Sequence, residues 1–141
     1  MAKISFRGLS DYELLLSRLG NANREIIGKA IYAGAEIVAD AIKQNIEGLP
    51  EKTGVTKRGL EEGFGIAPMQ DDNGYINVKL GFDGYNENGV PNVLMARVFE
   101  SGTSTMPKHP FVRPAINSSR KRAEQAMENI IDQEIKKIMD K

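Results

Sequence analysis

Ile76-Asn77-Val78-Lys79-Leu80-Gly81-Phe82 decides the fold class. Ile76, Val78, Leu80 and Phe82 alternate with Asn77, Lys79 and Gly81, the clearest period-two run in the chain. That spacing predicts a strand with one buried face. Just upstream, Asp71-Asp72-Asn73-Gly74 reads as a turn, because Asn-Gly tolerates positive φ. Residues 63–69 then supply a short partner strand. The rest of the chain carries mainly helical spacings, so the expected class is α+β. A small antiparallel sheet packs on one long helix, with a second long helix at the C-terminus.

Moving upstream, residues 49–62 hold Pro50, Thr53, Gly54 and Gly59 among charges and read as an exposed connection. Before them lies a long helix, Ala22 to Glu47. Ile27, Ile31, Gly34, Val38 and Ile42 recur every three or four residues along one face, flanked by Ala30, Ala33, Ala35, Ala39 and Ala41. Side chains this small let a second element approach closely. Gly48 stops the helix and Pro50 prevents its continuation. A shorter helix is predicted over 10–19. Ser10 and Glu13 form a capping box, Leu9 and Leu14 a hydrophobic staple, and Gly20 the end.

Downstream, residues 83–92 form a loop rich in Gly and Asn. Leu94, Val98 and Phe99 fit a short helix that starts at Asn92 and ends at Gly102. The same residues also fit a strand, and helix is the preferred reading. Residues 103–114 contain Pro107, Pro110 and Pro114 and are expected to be largely extended. Pro114 suits the first turn of the final helix. Its apolar stripe is Ile116, Ala123, Met127, Ile131, Ile135 and Ile138, with Arg120, Lys121, Arg122, Glu124, Glu128 and Asp132 on the wet side. Neither a repeat nor a low-complexity tract interrupts the chain, so residues 1–141 read as one domain.

Composition narrows the function. The 141 residues are 40% hydrophobic and 27% charged, values of an ordinary globular domain. Nineteen basic residues balance nineteen acidic ones. Proteins that grip nucleic acid through phosphates are usually basic, so zero net charge argues against that role. It also offers little repulsion against self-association. With no cysteine, thiolate nucleophiles and cysteine metal sites are excluded. Residues 1–8 show no signal-peptide core, and no stretch nears the roughly 18–20 apolar residues of a membrane span. A soluble protein made in the cytoplasm is expected.

The search for catalytic chemistry returns little. His109 is the only histidine and lies between Lys108 and Pro110; a loop residue contacting a neighbour is favoured over a catalyst. Glu100-Ser101-Gly102-Thr103-Ser104 lacks the spacing of a phosphate-binding loop. Glu61/Glu62 and Asp71/Asp72 are adjacent pairs whose side chains diverge. Arg120-Lys121-Arg122 has acids close behind it and no aromatic companion, which favours a solvated helix face over a nucleic-acid contact. No cofactor and no metal site is expected. Two readings of 103–114 stand level: it crosses the domain and tucks Phe111 into the core, or it forms a stiff arm docking on a neighbouring subunit.

At this segment the chain resembles a known family. Ala96-Arg97-Val98-Phe99-Glu100-Ser101-Gly102-Thr103-Ser104, then Met106-Pro107, then His109-Pro110-Phe111-Val112-Arg113-Pro114-Ala115 is similar to the signature of the tail-component or tail-completion proteins of the head–tail junction in long-tailed phages. Pro50-Glu51-Lys52-Thr53-Gly54 resembles the Pro-x-x-Thr-Gly after the long helix of that family. Two departures are Val55-Thr56-Lys57-Arg58-Gly59-Leu60 where Leu-Arg usually follows, and Met95-Ala96 where an aromatic-Ala pair is common. The resemblance implies a structural, non-enzymatic virion protein in a homo-oligomeric ring. Its partners would be a connector and a tail tube or terminator, with DNA only as passing cargo and no membrane. Its location would be the host cytoplasm during assembly, then the virion neck. The motif residues it marks are Thr53, Gly54, Glu100, Gly102, Thr103, Pro107, His109, Pro110, Phe111 and Pro114. The alternatives are a nucleic-acid-binding phage regulator using the Arg120-Lys121-Arg122 helix and, last, a small hydrolase using His109.

Overall fold

The computed structural model describes residues 2–4, 22–50, 54–72 and 75–139. In chain order the elements are β1 (Ala2–Ile4), α1 (Ala22–Glu47), α2 (Val55–Gly63), β2 (Phe64–Ile66), β3 (Gln70–Asp72), β4 (Tyr75–Phe82), α3 (Asn92–Ser101) and α4 (Val112–Met139). This is an α+β fold, as the alternating run predicted. The helix expected over 10–19 lies outside the described residues.

α1 matches its predicted bounds, and its apolar face is buried at Ile27, Ile31, Val38 and Ile42. Burial continues around the helix to Ile26, Ala30, Ala35, Ala39, Ala41 and Ile46. A helix contacted from two sides needs more than one apolar stripe, and α1 lies against both the sheet and α4. The small residues permit this: a Cβ at Gly34 would come within 2.8 Å of Met127 Sδ on α4. Past Glu47, the amides of Gly48 and Leu49 bond back to Asn45 O and Ile46 O, tightening the last turn before Pro50.

The segment after α1 corrects the sequence reading. Residues 49–62 are not simply an exposed connection: Leu49 and Leu60 are buried and Val55–Gly63 is helical. Leu60 is the single strongly apolar anchor of α2, so the helix leaves no period to read. Its packing face is made of glycines instead. A Cβ at Gly59 would meet Asn92 Oδ1 at 2.4 Å, and one at Gly63 would meet Asp83 O at 2.2 Å. These contacts with the 83–92 loop outweigh the poor helix propensity of glycine.

β4 is the central strand, with β1 antiparallel on one side and β2 antiparallel on the other. β3 also pairs antiparallel with β4, further along it. The predicted strand over 63–69 is confined to Phe64–Ile66 because Gly63 closes α2. Phe64 pairs with Phe82 and Gln70 with Asn77, so the β2–β3 side carries one extra residue between these pairs. Residues 67–69 form that bulge. The bulge turns Met69 onto α1, where its amide donates to Tyr32 Oη at 2.6 Å. Asp71 and Asp72, read as turn residues, belong to β3, and Asp72 pairs with Tyr75. Asn73 and Gly74 lie outside the described residues. Val78, Leu80 and Phe82 are buried as the alternation required, but Asn77 is buried as well, so the opposite face is not uniformly wet.

α4 packs along α1 through Ala115, Ser119, Ala123, Met127 and Ile131, a strict four-residue ridge. Ile116 and Ile135 are half-buried beside it. Ser119 fits this apolar row because its hydroxyl donates to Ala115 O at 2.7 Å. Arg120, Lys121, Arg122, Glu124, Glu128 and Asp132 are all exposed, as predicted.

Candidate functional site

The marked segment begins at the end of α3, which is a helix as preferred. Pro91 O accepts from the Leu94 and Met95 amides at its start. At its end Gly102 has φ +75, a backbone that only glycine adopts easily. A Cβ there would also press on Lys108 N at 2.9 Å and Met106 O at 3.0 Å. Thr103 then closes a tight turn. Its amide donates to Met106 O at 2.9 Å, and its Oγ1 accepts from the Met106 amide at 3.0 Å. The chain returns to α3 where the His109 amide donates to Phe99 O at 2.7 Å.

Glu100 joins the two ends of this excursion. Its Oε1 accepts from the amides of Phe111 at 3.0 Å and Val112 at 2.9 Å, and its Oε2 from Arg113 at 3.4 Å. These are the amides a helix start leaves without partners. The next residue, Pro114, has no N–H to satisfy. One carboxylate and one proline therefore account for the whole N-terminus of α4, and the negative charge sits at the favourable end of the helix dipole. Phe111 is 1% exposed and meets Phe82 edge-on, with ring centroids 5.9 Å apart; Phe82 in turn packs on Phe64 at 5.2 Å. The Asn45 side chain donates to Phe111 O at 3.0 Å, tying this point to α1.

Two sequence expectations change here. Residues 103–114 are not largely extended, because 103–106 form a turn and helix starts at Val112. The segment is a closed loop fastened at its neck, of the compact surface kind. Of the two level readings, Phe111 follows the first, since its ring belongs to the core.

The marked residues fall into two groups. Glu100, Gly102, Thr103, His109, Phe111 and Pro114 are brought together by the loop and its clasp, with Pro107 and Pro110 exposed on it. Gly54, at φ +76, opens α2, and its carbonyl accepts from the Arg58 amide. No bond among the described residues links Gly54 to the clasp, and Thr53 lies outside them.

Beside the clasp is a cleft of about 500 Å³. Its floor includes Phe64, Leu80, Phe82, Val93, Ala96 and Ile116, and its rim includes Arg97, Arg113 and Arg120. All three arginines are exposed, and none forms an ion pair with a described carboxylate. The sequence reading missed this grouping, although Arg113 and Arg120 stand two turns apart on α4. It also missed the knot of Gly59, Gly63, Asp83 and Asn92, whose signal was two glycines four residues apart. Asn92 is buried, and its side chain donates to Asp83 O at 2.8 Å.

The described residues contain no group of three His, Asp or Glu side chains able to hold a metal ion. No helix among them is long and apolar enough to cross a membrane. Compared with known families, curated proteins and solved structures, the chain matches none.

Proposed function

We propose that this chain is a structural protein of a long-tailed phage or prophage particle, one that joins or completes the tail at the head–tail interface as part of a ring. It acts by binding and shape rather than turnover, in the host cytoplasm during assembly and then in the virion neck. The observation that carries this reading is the unity of the segment bearing the resemblance. Glu100 clasps the amides of Phe111 and Val112, while Gly102 and Thr103 turn the loop that lies between them, so residues separated in sequence serve a single device. A fastened loop beside an apolar cleft is a surface preorganised for docking. Zero net charge is compatible with DNA sliding past without being gripped.

The test is electron microscopy of a lysate from the parent phage or prophage with this gene deleted. Filled heads beside separate tails, or tails with ragged ends, are expected. Normal infectious particles would remove the neck assignment. The regulator reading would then be tested by salt-dependent retention on duplex DNA, with the Arg120-Lys121-Arg122 helix as the contact.

A further inference from the structure

Two features stand out on the described surface. One is the arginine-rimmed cleft. The other is Tyr85, 72% exposed and the most exposed large apolar side chain among the described residues. Its loop is braced on both sides. Tyr85 bridges to Pro91, the Asn86 side chain accepts from the amides of Asn88 at 2.9 Å and Val90 at 3.1 Å, and the Asn92 amide donates to Gly84 O. Tyr85 is thus a ring presented to solvent on a fixed support, which lowers the entropy lost when it docks. Asp83 and Glu87 flank it and are exposed; Glu87 is held by Arg58 at 3.0 Å, leaving Asp83 as the uncompensated charge of the pair. Tyr85 is not among the residues that line the cleft of its own chain.

The two features complement each other. The cleft offers an aromatic and aliphatic floor with three guanidinium groups at its edge. The knob offers an aromatic ring with one uncompensated carboxylate, Asp83, two residues away. Arginine and tyrosine are the residue types that dominate protein contacts, and a guanidinium over an aromatic face adds a cation–π attraction. We infer that Tyr85 of one copy seats in the cleft formed by Phe82, Val93, Arg97 and Arg120 of a second copy. The inference rests on the ring reading above and supplies its contact. A knob and a cleft on different patches give a contact in which one copy's knob meets another copy's cleft, the kind that builds rings when its rotation closes.

Sedimentation velocity on the full chain, from micromolar to millimolar concentration, tests this. Wild type associates, and Tyr85→Ala and the double variant Arg97→Glu/Arg120→Glu each weaken association by about tenfold or more with helix content unchanged. Tyr85→Phe keeps it. The decisive sample is an equimolar mixture of the two broken variants. Each retains the half the other lacks, so together they form a 1:1 pair that grows no further. If the double variant loses helix content, Arg97→Gln takes its place in the same mixture. A wild type that stays monomeric throughout, or a mixture of folded variants that stays monomeric, overturns the contact. Particles that still assemble with Tyr85→Ala would refute the contact and leave the neck reading standing. Normal particles without the gene would refute the neck reading, while the mixture still decides the contact.

Discussion

The α1–α4 seam and the α3–α4 junction both fix the position of α4, by opposite means. The seam is a row of small and aliphatic side chains, Gly34 against Met127 with Ala115, Ala123 and Ile131 alongside, and its one buried hydroxyl, Ser119, is satisfied within its own helix. The junction is polar: a carboxylate from one helix takes the amides that start the next. Apolar packing is graded in volume and indifferent to direction. A clasp of charged hydrogen bonds depends on direction and is lost when one atom changes. The seam therefore sets how close α4 lies, and the junction sets where it begins.

Substitutions in each region test that contrast. The largest effect is expected from Phe111→Ala, where the two means meet, because the ring is core while its amide is in the clasp. A loss of about 3–5 kcal/mol is expected from urea unfolding. A loss below about 1 kcal/mol would mean the ring is not anchored as described. Next comes Gly34→Val, which drives a branched side chain into Met127. Overpacking of this kind costs about 1–3 kcal/mol, and Met127→Ala in the same chain should recover part of it. Glu100→Gln keeps the shape and removes the charge, and about 1–2 kcal/mol should be lost. If it were neutral while Gly34→Val was not, the junction would owe its hold to shape alone and the contrast would fail.

The smallest effect belongs to Glu134. It bonds Lys137 at 3.3 Å and faces Lys29 of α1 at 3.6 Å, closing the seam at its rim. The hydrogen bond from Lys137, helped by the charges of Lys137 and Lys29, holds its carboxyl below the usual range. A lowered carboxylate contributes stability that is complete above its unfolded-state value and is lost as pH falls through the folded one. Glu134→Gln should thus lower the melting temperature slightly at neutral pH, and the difference should vanish in strong acid. A constant difference across pH would assign the effect to packing.

Much of the seam was legible in the sequence and little of the junction was. The long helix is written in spacings of three and four, and the central strand in spacings of two, so Ala22–Glu47 and Tyr75–Phe82 could be read from residues alone. α2 could not, since its face is two glycines whose purpose is set by Asp83 and Asn92 on another segment. The bulge at 67–69 leaves no mark in hydropathy. Glu100 lies eleven residues before the amide of Phe111 that it accepts from, beyond the reach of any local capping pattern. The resemblance singled out Glu100, Gly102 and Phe111 without saying what each does, and hydrogen-bond geometry supplied the roles.

The loop fastened at its neck has a topological consequence. Tension along the chain between α3 and α4 passes through the clasp and bypasses residues 103–108, all of them exposed. The loop is a handle rather than a hinge. A chain severed between Ser104 and Thr105 keeps Glu100 on one fragment and the amides of Phe111 and Val112 on the other, still bonded across the cut. New ends belong there, in a circular permutant or at the insertion point of a foreign segment, because that is where the backbone carries the least.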